Sequence, residues 1–278
     1  MKIFLTGASG FIGGEFLKVA LLQGHQVTAL VRPETHRLGI TAPNVTWIEK
    51  QFDEVTEDDL AGADVVAHFA AAGVTPKPAK WKECFEFNVN KSLDLLIKTH
   101  KSGVKRFIAS GSYAEYGAAG LRFDPIPVDA PLEPTDPYAS SKAACSIALN
   151  SYTRANGLEL YYGRIFSAYG EGQYPQNFWP QLKHAAFAGE DFKMTPGGQI
   201  RDFIPVQQVA EQFLDACIRK DIAAGVPMVR NVASGQPVSL IDFARRWWQE
   251  WSATGELVAG AVPYRANEIM RYVPLVER

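Results

Sequence analysis

Short β-branched runs alternate with helical patterns through the first 165 residues. Lys2 to Thr6, Gln26 to Val31, Val45 to Ile48, Asp64 to Phe69, Arg106 to Ser110 and Leu158 to Ile165 read as strands. Such alternation predicts a parallel sheet covered by helices on both faces. Gly14 to Gln23 has helical spacing with Gly24 as its stop, and Lys82 to Ser102 carries a longer apolar period that ends at Gly103. After Ile165 the pattern loosens, with Pro175, Pro180, Pro196 and Pro205 in an aromatic-rich stretch. Helical periodicity then returns over Val209 to Arg219 and Leu240 to Trp251. The expected organisation is a first unit over 1–165, to which 203–224 returns, and a smaller mixed α/β lobe over 166–278. Ala118 to Pro137, rich in proline and glycine, reads as a long surface loop.

Composition narrows the class. At 278 residues and 47% hydrophobic content the chain can bury a full core, and its length suits one nucleotide-binding unit with an appendage. With 28 basic and 30 acidic residues and no basic tract, nothing steers it toward nucleic acid or an anionic membrane, so a small molecule is the expected partner. Cys84, Cys145 and Cys217 are widely spaced among apolar residues, which suits reduced core thiols and predicts neither disulfide nor metal site. The first apolar segment is too short for a signal peptide, and no uncharged run approaches the roughly 20 residues of a membrane span, so the cytoplasm is expected.

The first strand runs into Gly7-Ala-Ser-Gly10-Phe-Ile-Gly13, and Gly13 opens the first helix. There, backbone N–H groups and the positive helix end face a pyrophosphate that side chains would otherwise hold away. The spacing resembles that of short-chain dehydrogenases, and the expected fold is a Rossmann-type doubly wound parallel sheet with a smaller substrate-binding lobe. Cofactor candidates are Gly7, Ser9, Gly10, Phe11, Ile12 and Gly13, with Ala70 and Ala71 after the fourth strand and Ile165 at the end of the sixth. Where an acid would take the adenosine ribose hydroxyls of NAD, the second strand ends in Val31-Arg32-Pro33. An arginine there pairs with a 2′-phosphate, with Arg37 as a second contact, because guanidinium donors match phosphate oxygens in pairs. NADP(H) is therefore expected, and NAD(H) is the alternative if Arg32 is only a solvated loop residue. His68, inside an apolar run, reads as a core residue.

Tyr138 and Lys142 stand four apart in Pro137-Tyr-Ala-Ser-Ser-Lys142, on one face of the helix starting there. A phenol with a free pKa near 10 is a poor acid–base catalyst at neutral pH, and a neighbouring cation brings it toward the useful range. Ser112, in Ser110-Gly-Ser112 after the fifth strand, is placed to hold a substrate oxygen. The expected catalytic set is Ser112, Tyr138 and Lys142, the last two also touching the cofactor.

These residues resemble the extended short-chain dehydrogenase/reductase family, the NAD(P)-dependent nucleotide-sugar epimerases, dehydratases and reductases, over nearly the whole chain. Ser112-Tyr-Ala-Glu-Tyr116-Gly117 is similar to the family's Ser/Thr-x-x-x-Tyr-Gly, and Gly163-Arg-Ile-Phe-Ser-Ala-Tyr169-Gly170 to its Leu-Arg-x-x-Asn-x-Tyr-Gly. Arg201-Asp-Phe-Ile204 is similar to Arg-Asp-Phe/Tyr-Ile, whose arginine meets the nucleotide diphosphate in relatives, and Asn231-Val-Ala-Ser-Gly235 to Asn-x-x-Ser/Gly-Gly. The resemblance implies a nucleotide-sugar substrate, with Ser112, Tyr113, Ser167, Asn177, Phe178, Arg201, Arg265 and Glu268 as its candidate contacts. It also implies a homodimer through the helices at Lys82–Ser102 and Tyr138–Asn156.

The departures discriminate. Relatives that eliminate water across C4–C6 carry Thr-Asp-Glu where this chain has Ser112-Tyr113-Ala114, so a 4,6-dehydratase is not expected. Glu115, shifted by one place, is either a substrate contact or a structural acceptor. Ser167 stands where asparagine is usual, and Pro205-Val-Gln207-Gln208 replaces His-Val-Asp-Asp. Arg32 and the missing acid favour an enzyme that consumes NADPH, most like a reductase of a nucleoside-diphospho-4-keto-6-deoxyhexose. A nucleotide-sugar epimerase with tightly bound NAD(P) and a non-catalytic NADP(H)-binding sensor stay open. Trp247, Trp248 and Trp251, on an apolar helix, suit lobe packing or an oligomer surface.

Overall fold

The computed structural model describes residues 1–34, 39–74 and 78–277. Its centre is a seven-stranded sheet made of β1 (Lys2–Thr6), β2 (Gln26–Val31), β3 (Val45–Glu49), β4 (Val65–His68), β5 (Arg106–Ser112), β6 (Glu159–Ile165) and a last strand, Met228–Val232. Met228–Val232, β6, β5, β4, β1, β2 and β3 lie side by side in that order, and every neighbouring pair is parallel. The sheet is a Rossmann-type α/β fold. Successive residues of a strand point to opposite faces, and the core follows that period. Ile3 and Leu5 of β1 join Phe16, Leu17, Val209 and Phe213 on one face, while Phe4 joins Leu95, Leu96, Phe107 and Leu149 on the other. Helices Phe11–Leu22 and Val206–Ile218 cover the first face; Ser92–Lys101 and Pro137–Asn156 cover the second. Each such large side chain contributes about 1.5–3 kcal/mol when it leaves water.

Two elements differ from the sequence-based expectation. Met228–Val232, in the stretch assigned to the small lobe, pairs with β6 and extends the main sheet. The helix expected over Lys82 to Ser102 is interrupted by a π-helical segment, Glu86–Lys91, whose wider turn carries Asn88 into the interior. The 118–137 stretch is no bare surface loop either, since Ile126 and Ala130 form a small core with Tyr116, Phe166 and Tyr272.

The small lobe packs helix Phe178–Ala188 against Leu240–Glu250, with Trp179, Trp247 and Trp251 meeting edge to face or tilted at 5.1–5.8 Å between ring centres. Strand Ile200–Asp202 runs between Pro237–Ser239 and Arg271–Tyr272. Among the described residues no helix is long and apolar enough to cross a membrane, and the three cysteines are free and buried.

Candidate active site

The order of the sheet reverses between β1 and β4, so a crevice opens beyond their carboxyl ends. The glycine-rich loop sits there. Gly7 has φ +79°, and a Cβ on it would lie 2.6 Å from the Ala70 nitrogen; a Cβ on Gly13 would lie 2.3 Å from the Gly7 carbonyl oxygen. Only glycine lets this turn close against the Ala70 backbone. Helix Phe11–Leu22 then starts at Gly10 with no side-chain cap and no acid in its first turn. Its free N–H groups and positive end suit an anion. The cradle therefore fits the pyrophosphate of a dinucleotide. Ser9, Phe11, Ile12, Ala70, Ala71 and Ile165 are all partly buried around it. The loop after β6 comes close as well, since a methyl on Gly172 would touch the Phe11 ring at 3.9 Å. Arg32 is exposed at the end of β2; Arg37 lies outside the described residues.

β5 ends at Ser112, and helix Pro137–Asn156, capped by Asp136 accepting from the Ala139 N–H at 2.9 Å, brings Tyr138 beside it. The Tyr138 phenol lies near enough to Ser112 for that side chain to draw its proton affinity down, while Ser112 Oγ accepts the Ala114 N–H at 3.2 Å. One turn on, buried Lys142 donates from Nζ to the Ser110 carbonyl at 2.9 Å. Burial pushes the Tyr138 phenol well above its usual value; Ser112 pulls it down, and Glu115, Tyr113 and Asp136 push it up. Burial lowers Lys142, with Cys145 and Glu115 opposing. The three residues of the expected catalytic set are thus brought together.

The substrate candidates divide. Tyr113 packs on Phe166 and Tyr272, both at 5.6 Å. Arg201 donates to the carbonyls of Ile200 and Ile269 and stands 3.9 Å from the Glu268 carboxylate. Ser167 and Asn177 are partly buried, and Asn177 is the N-cap residue of Phe178–Ala188 without a side-chain cap bond. Phe178 turns into the lobe core against Phe192 at 5.6 Å. Arg265 is exposed. Arg271 binds Asp124 at 2.7 Å.

Asn88 and Ser141 carried no distinctive sequence signal, whereas His68 and Asp202 lie in segments that the sequence marks. Asn88, 1% exposed, accepts the Ala72 N–H at 2.8 Å and donates to the Ala72 carbonyl at 3.0 Å and to Ser141 Oγ at 2.9 Å. Ser141 in turn donates to the Tyr138 carbonyl at 2.8 Å. His68 lies between Thr6 (2.7 Å) and Ser92 (2.9 Å) in the core, held down to about 3 by burial and by the Lys142 charge. Asp202 accepts the Ser234 and Gly235 N–H groups at 2.7 and 2.8 Å, which joins the Arg-Asp-Phe-Ile segment to Asn231-Val-Ala-Ser-Gly235.

A family model described as "NAD dependent epimerase/dehydratase family" matches residues 3–232. The chain belongs to that family. Its members' enzymology makes this an enzyme of oxidoreductase type. Similar proteins include the UDP-glucose 4-epimerase of Corynebacterium glutamicum, 28% identical across 86% of this chain and 77% of the relative. The dTDP-D-glucose 4,6-dehydratase of Homo sapiens is 26% identical across 88% and 72%. Among solved structures, TunA, an NAD dependent NDP-hexosamine 5,6-dehydratase, matches with a TM-score of 0.80 and 28% identity over 99% of this chain and 88% of its own. The UDP-N-acetylglucosamine 4-epimerase from Methanobrevibacter ruminantium M1 shares the fold at a TM-score of 0.88 and 24% identity, over 99% and 89%.

Proposed function

We propose that this family member reduces the C4 ketone of a nucleoside-diphospho-4-keto-6-deoxyhexose with NADPH. The observation that carries the reading is the meeting of Ser112, Tyr138 and Lys142 at the end of β5, beside the glycine cradle. A bound nicotinamide would supply the hydride. The chain's own residues do the rest. Ser112 orients the carbonyl, and Tyr138 gives its proton to the oxygen as charge builds there. Lys142 spends one N–H on Ser110 and keeps two donors for a ribose and for holding the phenol acidic. Arg201 meets the diphosphate, with Tyr113, Ser167, Asn177, Arg265 and Glu268 around the sugar and nucleotide. Residues 1–165, with 203–232, make the dinucleotide unit in this reading.

Glu115 weighs against a 4,6-dehydratase. Fully buried and bound by Arg164, Tyr162 and the Ser112 N–H, it is not free to serve an elimination. Exposed Arg32, in place of an acid, supports NADPH over NADH. A C4 epimerase is the second reading, favoured by relatives named UDP-glucose 4-epimerase.

The test is NADPH absorbance on mixing the protein with CDP-, dTDP- and GDP-linked 4-keto-6-deoxyhexoses, beside an assay for interconversion of UDP-glucose and UDP-galactose. Stoichiometric NADPH loss is expected. Interconversion without net cofactor loss would replace the reductase by the epimerase, and neither reaction would leave a non-catalytic binder.

A further inference from the structure

We propose that Glu115 is the positioning residue of the acid–base site, tying the strand end that carries Ser112 to the helix turn that carries Lys142. The inference rests on the roles given above to Ser112, Tyr138 and Lys142. Glu115 is 0% exposed, and both of its oxygens are hydrogen-bonded. Oε1 accepts the Ser112 N–H at 2.8 Å and the Tyr162 hydroxyl at 2.8 Å; Oε2 accepts Arg164 Nε at 2.8 Å. The Tyr162 hydroxyl proton is shared with the Lys142 carbonyl at 3.1 Å. One carboxylate thus reaches Ser112 directly and Lys142 through a single side chain. Arg164 is anchored in turn on the Tyr116 hydroxyl at 3.0 Å and the Val128 carbonyl at 2.7 Å, so Glu115 has little room to shift.

The backbone is shaped for this cluster. A Cβ on Gly111 would lie 2.3 Å from Tyr162 Cε1 and 2.6 Å from Glu115 Oε1. The bare Cα between Ser110 and Ser112 is what lets the carboxylate and the phenol close over β5. A buried ion pair is weak evidence of net stability, because desolvation offsets its attraction. A fixed geometry next to reacting groups is the use left to it.

The charge has a second effect. The titratable groups facing Glu115 are Arg164 and Tyr162 on β6, Tyr116 on its own turn, and Tyr138, Lys142 and Cys145 on helix Pro137–Asn156. Tyr138 also faces Tyr113 and Asp136. The Glu115 charge pushes the Tyr138 phenol up and opposes the burial that lowers Lys142. Both influences favour the protonated form of each group.

Two full-length variants separate tether from charge. Tyr162→Phe cuts the link to Lys142 and leaves the charge; Glu115→Gln removes the charge and replaces one of the two acceptor oxygens by an N–H donor. With the sugar nucleotide that the wild type reduces, both should lower kcat by about tenfold to 100-fold, the scale of a small misplacement, with KM changed by less than about threefold. Only Glu115→Gln should move the high-pH limb of the kcat profile to lower pH. In both, the Kd of whichever nicotinamide cofactor the wild type binds should rise about threefold to tenfold, the worth of one hydrogen bond. Folded variants with wild-type kcat, limb and Kd, whatever their melting temperature, would overturn the inference. If the uncompensated Arg164 keeps Glu115→Gln from folding, Tyr162→Phe decides by its kcat and Kd. A wild type that reduces no sugar would defeat the functional reading alone, and the Kd series would still decide this one.

Discussion

At the scale of single residues, Tyr138 carries the sharpest expectation. Tyr138→Phe removes the proton donor and keeps the ring, so turnover should fall by about 100-fold to 10,000-fold while cofactor affinity falls by no more than about tenfold, the worth of one lost contact; NADPH absorbance and a cofactor titration check both. Arg32→Ala should weaken NADPH binding by about tenfold and leave NADH unaffected, since only a 2′-phosphate would use the guanidinium; equal affinities before and after would remove Arg32 from the site. His68 gives a pH dependence. Its folded-state value lies near 3, below the roughly 6.5 of an unfolded chain, so the unfolded form takes up the proton first as pH falls. Its share of stability is complete above about pH 6.5 and is lost progressively toward pH 3. The urea midpoint should therefore decline between about pH 7 and 5, above the carboxylate range, and His68→Gln should flatten that decline. That Tyr138 and Lys142 share a helix face was legible because four residues make about one turn, and that Ser112 stands at a strand end because its apolar run stops there. Glu115 was only half legible, because its partners Tyr162 and Arg164 come from a strand nearly 50 residues on.

At the scale of elements, legibility followed burial. β1, β4 and β5 lie in the middle of the sheet and are covered on both sides, so their apolar runs stand out from the flanking chain. Met228–Val232 is an edge strand whose first three residues are only half covered, with Arg230 pairing outward to Glu277, and its mixed sequence hides it. The π segment was not read either: an extra residue shifts the helical phase by about 100°, and the polar run Glu86–Lys91 holds too few apolar residues to show that shift. Asn88 is the use made of that turn. Asn88→Ala would strand both polar groups of Ala72 in a part-buried site, at a cost of about 1–3 kcal/mol for each group left unpaired. A lowered urea midpoint together with weaker cofactor binding is expected, because the Ala70–Ala72 stretch borders the cradle. Gly13→Ala should act in the same sense and more severely, given the 2.3 Å approach to the Gly7 carbonyl.

At the scale of the molecule, helices Trp81–Phe85 and Pro137–Asn156 leave Trp81, Phe85 and Ile147 exposed. A homodimer through this face is the expectation drawn from the family resemblance. Sedimentation at micromolar protein should give twice the chain mass, and Trp81→Arg with Ile147→Glu should return the monomer; a monomeric wild type would refute it. The identity of the sugar and base was not legible, because the lobe that would choose them is built from short strands and loops whose partners lie far apart in the chain. That lobe is joined to the large sheet at three places. The chain leaves after β6, returns at helix Val206–Ile218 and leaves again after Met228–Val232. A clamshell motion of one lobe would have to bend all three connections together. Stiffening any one of the three crossings should therefore restrain the other two.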